Sequence, residues 1–103
     1  SVTVHFIKDL RKKEGIHGDV LDEDDREYTI RIDTNQARKE LISTVLHEMV
    51  HVYQYATNKM TQPTGDIIVY EKTEYPWDMA YDDKPWEIEA HNLERDLYEK
   101  FYK

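Results

Sequence analysis

The stretch Thr44-Val45-Leu46-His47-Glu48-Met49-Val50-His51 carries two imidazoles four residues apart, with a carboxylate directly after the first. On a helix, residues at this spacing lie one turn apart on one face, so the ring nitrogens of His47 and His51 can meet at one metal ion. Glu48 lies beside that face, close enough to act on a water held by the ion. The pattern H-E-x-x-H fits a zinc-dependent hydrolase in which the histidines are ligands and Glu48 is the general base. The plain alternative is two surface histidines on an ordinary amphipathic helix, and the rest of the chain counts against it.

A catalytic zinc takes three protein ligands and leaves a fourth position for water. The chain has no cysteine, so the third ligand has to be a histidine or a carboxylate. The last segment, opened by Pro85, offers Glu87, Glu89, His91 and Glu94. Read as a helix at about 100° per residue, its apolar stripe of Trp86, Ala90, Leu93, Leu97 and Phe101 centres near Ala90. Glu87 and Glu94 flank that direction at about 50°, while Glu89 and His91 lie about 100° away on opposite sides. A ligand must point toward the packed central helix, which favours Glu87 and then Glu94. His91, one turn from Glu87, can line the site or substitute as ligand, and Glu89 reads as a solvated charge. Tyr75, Tyr81 and His91 are the candidate donors to a developing oxyanion.

These residues need elements to position them. Val2, Val4 and Phe6 alternate with Thr3, His5 and Ile7, the pattern of an opening strand with one face inward. Residues 8–14 are strongly charged and end at Gly15, a turn or short helical link. Residues 16–21 and 27–33 look like the arms of a hairpin, the second arm placing Tyr28, Ile30 and Ile32 on one face. Between them, residues 22–26 form an acidic turn without the spacing or closing glutamate of a calcium loop. Asp33, Thr34 and Asn35 offer side-chain oxygens at the start of a helix predicted over about residues 36–57. Leu41, Val45, Met49 and Val52 are its expected core face, with Thr44, His47, His51 and Tyr55 on an adjoining stripe. Residues 59–84 read as irregular, with a short strand or helical turn at 67–70 and an aromatic-rich stretch interrupted by Pro76. A final helix runs from Pro85 to the end.

With 103 residues, one small domain over 1–103 is expected, and a bound metal would help so short a chain hold together. The formal net charge is −8, from 22 acidic against 14 basic side chains, and the basic residues form no long run. That balance speaks against nucleic acid and against anionic membranes as partners. No apolar run approaches a signal or transmembrane segment, which makes a cytoplasmic protein the default expectation.

His47-Glu48-Met49-Val50-His51 followed by Val52-Tyr53-Gln54, with Pro85-Trp86-Glu87-Ile88-Glu89-Ala90 downstream, resembles the small gluzincin-type metallopeptidases, in particular the ImmA/IrrE-like and related phage and bacterial minimal zincin domains. In that group a glutamate three positions before an alanine completes the zinc site, and the resemblance carries this role onto Glu87, before Ala90. It implies an α+β fold: a small twisted antiparallel-type sheet of about three strands, an active-site helix, and a glutamate helix beside it. Two features depart from the pattern. The linker from His51 to Glu87 is long for the most compact members, and His91 stands where another residue is usual. A SprT-like zincin uses a third histidine, which keeps His91 open as a ligand, although such enzymes act near DNA.

The activity this implies is hydrolysis of a peptide bond in a peptide or protein substrate, with one zinc ion per chain. Arg31 and its neighbours on the 27–33 strand are candidates to align an extended substrate as an added strand. The rival reading is a non-catalytic zinc module that binds a protein partner such as a repressor. Glu48 discriminates between the two, because a structural site has no need of a carboxylate beside its first ligand. An amidase or deacetylase acting on a small amide uses the same chemistry.

Overall fold

From the N-terminus the elements are β1 (Val2–Ile7), α1 (Leu10–Glu14), β2 (Gly18–Asp22), β3 (Tyr28–Asp33), α2 (Arg38–Ala56), β4 (Met60–Thr64), β5 (Ile67–Tyr70), β6 (Thr73–Pro76), a 3-10 turn at Tyr81–Asp83, and α3 (Pro85–Tyr102). They come from a computed structural model that describes residues 1–23 and 26–102, the side chain of Tyr102 apart. The acidic turn expected at residues 22–26 centres on Asp24 and Asp25, which lie outside the described residues.

The first sheet has strand order β1-β3-β2. The hairpin of β2 and β3 is present and antiparallel, with Gly18 opposite Ile32 and Asp22 opposite Tyr28. The all-antiparallel expectation fails at β1, which runs parallel to β3 from Val2 opposite Tyr28 to Ile7 opposite Asp33. β3 is the strand whose apolar residues most need covering, and it takes the middle place. Its Tyr28, Ile30 and Ile32 are buried with Val52, and Val20, Leu41, Val45 and Tyr55 pack around them. α2 crosses β2 and β3, and the expected inward face of β1 is not covered: Val2, Val4 and Phe6 are all exposed.

α2 begins two residues later than expected. Asp33 accepts the backbone N–H groups of Asn35 and Arg11, which turns the chain out of β3 and ties it to α1. At about 100° per residue, Val45, Glu48 and Val52 fall within about 40° of Leu41, whereas Met49 is about 80° away. Met49 is accordingly exposed and Glu48 buried, the reverse of the expected core assignment. Asn58, in a left-handed conformation, ends the segment.

The region 59–84 is not irregular. β4, β5 and β6 form an antiparallel meander, so 67–70 is its central strand. Met60, Ile68 and Tyr70 bury one face of it against Trp86, the second residue of α3, with Tyr55, Tyr75 and Met79 around them. Through that tryptophan the meander fixes the first turn of α3. Ala90, fully buried, continues the stripe, while Phe101 is exposed and falls outside it. The class is α+β, and no helix among the described residues is long and apolar enough to cross a membrane.

Candidate metal centre

α2 and α3 pack together, and their facing turns bring His47, His51 and Glu87 to one point. Glu87 Oε1 is 2.9 Å from His47 Nε2 and 3.0 Å from His51 Nε2, and the two Nε2 atoms are 3.2 Å apart. Ligands at 2.0–2.1 Å around a tetrahedral zinc lie about 3.3 Å from one another, so the three atoms already stand close to a metal's coordination spacing. These residues are close enough to hold a metal ion.

The outer nitrogens of both rings face acceptors. His47 Nδ1 is 3.1 Å from Glu94 Oε1, and His51 Nδ1 is 2.8 Å from Gln54 Oε1. With a proton on each Nδ1, both Nε2 lone pairs point at the Glu87 carboxylate. Three electron-rich atoms at that separation repel one another unless a cation or a proton sits among them. Without a metal the proton wins. Burial pulls His51 down, but its hydrogen bonds to Glu87 and Gln54 and the charges of Glu87 and Glu48 together outweigh it and hold the imidazole above its ordinary value. Burial pushes Glu87 up, and the bonds from His47 and His51 outweigh that and hold its carboxyl well below the usual carboxylate range.

His47, His91 and Glu94 form a second group of metal-ligand type that shares the His47 ring. An imidazole that ligates through Nε2 keeps its proton on Nδ1, and Glu94 then accepts that proton and orients the ring. His91 Nδ1 is 3.7 Å from the same Glu94 oxygen, and the His91 ring lies 4.4 Å from that of His47. His91 thus lines the site from the side.

Glu48 is 5% exposed. It lines the same cleft as the ligands. It sits on the face of α2 that packs on the sheet, and burial drives its carboxyl up to about 7 against the pull of His51 and His47. Two carboxylates beside the same histidines are therefore driven in opposite directions.

Tyr81, on the 3-10 turn, places its hydroxyl 3.1 Å from Glu87 Oε1 and 2.9 Å from His91 Nε2. Burial and the nearby Glu87 raise it well above the ordinary tyrosine value, so it keeps its proton. Tyr75 is elsewhere: on β6, edge-on to the Trp86 ring at 5.8 Å and outside the cleft lining, it leaves the list of oxyanion donors. Arg31 is also removed as a substrate guide. It is bound by Asp19 at 2.5 Å and by Glu14 at 3.2 Å, and its strand is paired on both sides. Nor is Glu89 a solvated charge, since it accepts from Lys59 and Gln54.

The cleft that holds these groups has a volume of about 890 Å³. One wall is the edge strand β2 through Gly18, Asp19 and Val20, and Trp77 and Tyr81 stand on the other side. A β-carbon on Gly18 would meet the Thr44 methyl at 2.8 Å, so only glycine allows β2 to approach α2 this closely. Sequence reasoning missed β2 as the wall and Gln54 as a partner of His51. The one signal for Gln54 was a polar side chain three residues after a ligand, on the buried side of the helix.

No protein-family model matches the chain, and no curated protein or solved structure matches it either.

Proposed function

We propose that the protein is a zinc-dependent metallopeptidase of minimal gluzincin type, with His47, His51 and Glu87 as the zinc ligands and Glu48 as the general base. The observation that carries this reading is Glu48: a buried carboxylate that opens on the cleft beside three convergent ligand atoms. A site that only braced two helices would gain nothing from that cost of burial. Zinc supports the reading because the donor set is two imidazoles and one carboxylate with no thiolate, the ligand set of known catalytic zinc hydrolases.

When bound, zinc supplies a Lewis acid that polarises the scissile carbonyl and lowers the pKa of water toward neutrality. The chain does the rest. Glu48 takes the proton of the attacking water and delivers it to the leaving amine. Tyr81 keeps its hydroxyl proton and donates it in a hydrogen bond to the developing oxyanion, with His91 holding the phenol in place. Glu94 holds His47 in the ligating orientation. β2 is an edge strand that lines the cleft, so an extended peptide adds along it through backbone hydrogen bonds, the role first expected of the 27–33 strand. A cleft of this openness suits flexible segments of protein substrates.

The test is hydrolysis of an unstructured protein such as denatured casein by the zinc-loaded enzyme. Wild type cleaves it and loses activity to a chelator, and Glu48→Gln is slower by about 100-fold or more. Cleavage by Glu48→Gln at the wild-type rate would overturn the proposal.

A further inference from the structure

Gln54 has no exposed surface and makes three hydrogen bonds. Its Nε2 donates to the Trp86 carbonyl at 3.0 Å and to Glu89 Oε1 at 2.8 Å, while its Oε1 faces His51 Nδ1 at 2.8 Å. The amide has only one satisfied orientation. Turned over, its oxygen would sit against two acceptors, a carbonyl and a carboxylate, and its NH₂ would meet the imidazole. The carboxylate is itself fixed, because Lys59 donates to Glu89 Oε2. Glu89 therefore accepts from both sides, from Lys59 and from Gln54, and this leaves the Gln54 amide oxygen facing His51. Opposite that oxygen only a donor fits, so His51 must carry its proton on Nδ1.

The geometry assigns Gln54 as a positioning residue that sets the tautomer of His51, with Glu89 and Lys59 fixing the direction of its amide. The consequence falls on the metal: once His51 is neutral, its Nε2 is the bare nitrogen presented to the ion, and no change of tautomer is needed before ligation. The network joins three of the parts around the site. Lys59 precedes β4, Gln54 is on α2, and Glu89 is on α3 two residues after Glu87. None of the three is itself a lining residue of the cleft, so each can be changed without replacing a side chain offered to substrate. The inference rests on His51 being a metal ligand, and it is independent of whether the bound metal hydrolyses peptides.

The experiment is long-range ¹H–¹⁵N correlation of the histidine rings, with a competition measurement of zinc affinity, on wild type, Gln54→Met and Glu89→Gln. Metal-free wild type at alkaline pH, where imidazole is neutral, should show His51 as the Nδ1–H tautomer, and the zinc-loaded protein should show ligation through Nε2 with a slowly exchanging Nδ1–H. Gln54→Met should lose the protected Nδ1–H and bind zinc about 10- to 100-fold more weakly. Glu89→Gln, a change on a partly exposed side chain that leaves folding intact, frees the amide to turn and should weaken zinc in the same direction by less. An Nε2–H tautomer at His51 in metal-free wild type would overturn the assignment, as would an unchanged tautomer and zinc affinity in both variants. Failure of wild type to bind zinc would overturn the metal reading alone, since the tautomer in the metal-free protein is measured separately.

Discussion

α2 has two buried faces, and they are buried in opposite ways. The face on the sheet is apolar, with Leu41, Val45, Val52 and Tyr55 packed against β3, and one buried carboxylate, Glu48, on the same side of the helix. The face on α3 is polar, with His47, His51 and Gln54, and every one of these side chains has a bonded partner. Burial raises Glu48 to about 7, whereas the histidines bonded to Glu87 on the other face hold it low against its own burial. On the proposed reading, the ligands are held in place by their partners, and the base stands where burial brings its value near neutrality.

The largest effect that sharpens this contrast is on metal. Glu87→Ala takes away the only carboxylate among the convergent ligand atoms and should abolish stoichiometric zinc binding, checked by elemental analysis after gel filtration. Next is the tryptophan that seats α3: Trp86→Ala opens a cavity between the meander and the helix and should cost about 3–5 kcal/mol in urea unfolding. Glu48→Gln comes third. In the metal-free protein at pH 8 it removes a charge from an apolar face and should stabilise by up to about 3 kcal/mol, the equivalent of its raised pKa. A destabilised Glu48→Gln would mean that the carboxylate has a structural partner, and the contrast between the faces would go.

The pH dependence follows from the same groups. Glu48, raised from 4.5 to about 7, and His51, raised from 6.5, both contribute stability at low pH that is lost as pH rises through their folded values. Glu87, held low, contributes stability present above 4.5 and lost as pH falls. Metal-free protein should therefore be most stable in a narrow window around pH 4.5 in scanning fluorimetry, losing stability above it as Glu48 ionises and below it as Glu87 is protonated. Zinc competes with protons for the ligands, so its stabilising shift should grow as pH rises above that window. The smallest effect is outside both faces: Met49→Lys, on the exposed side of α2, should change stability by less than about 0.5 kcal/mol.

What could be read from the sequence followed from strong local signals. The spacing of His47 and His51 placed both on one side of a helix, and the angle of Glu87 from Ala90 placed it on the side facing them; the structure brings all three together. The strand pattern of Tyr28, Ile30 and Ile32 was equally plain. The parallel pairing of β1 was not, because alternation reports a strand and says nothing of its neighbour's direction. The meander was hidden by its turn. Glu71 and Lys72 both adopt left-handed conformations between paired Tyr70 and Thr73, a role in which asparagine and glycine are the usual markers. Proline at positions 63 and 76 added to the impression of loop, though both lie at strand ends or edges, where proline is tolerated. Met49 was assigned to the core because an apolar residue at a three- or four-residue step was counted without its angle, and Glu48 was missed there because a carboxylate is not expected on such a face.

The most direct test of the central claim is the zinc content of wild type beside Glu48→Gln and Glu87→Ala, purified in parallel. The expected result is one zinc per chain in wild type and in Glu48→Gln and none in Glu87→Ala, which separates the ligand carboxylate from the base. Zinc kept in Glu87→Ala and lost in Glu48→Gln would exchange the two roles and contradict the account, as would a folded wild type that binds no zinc.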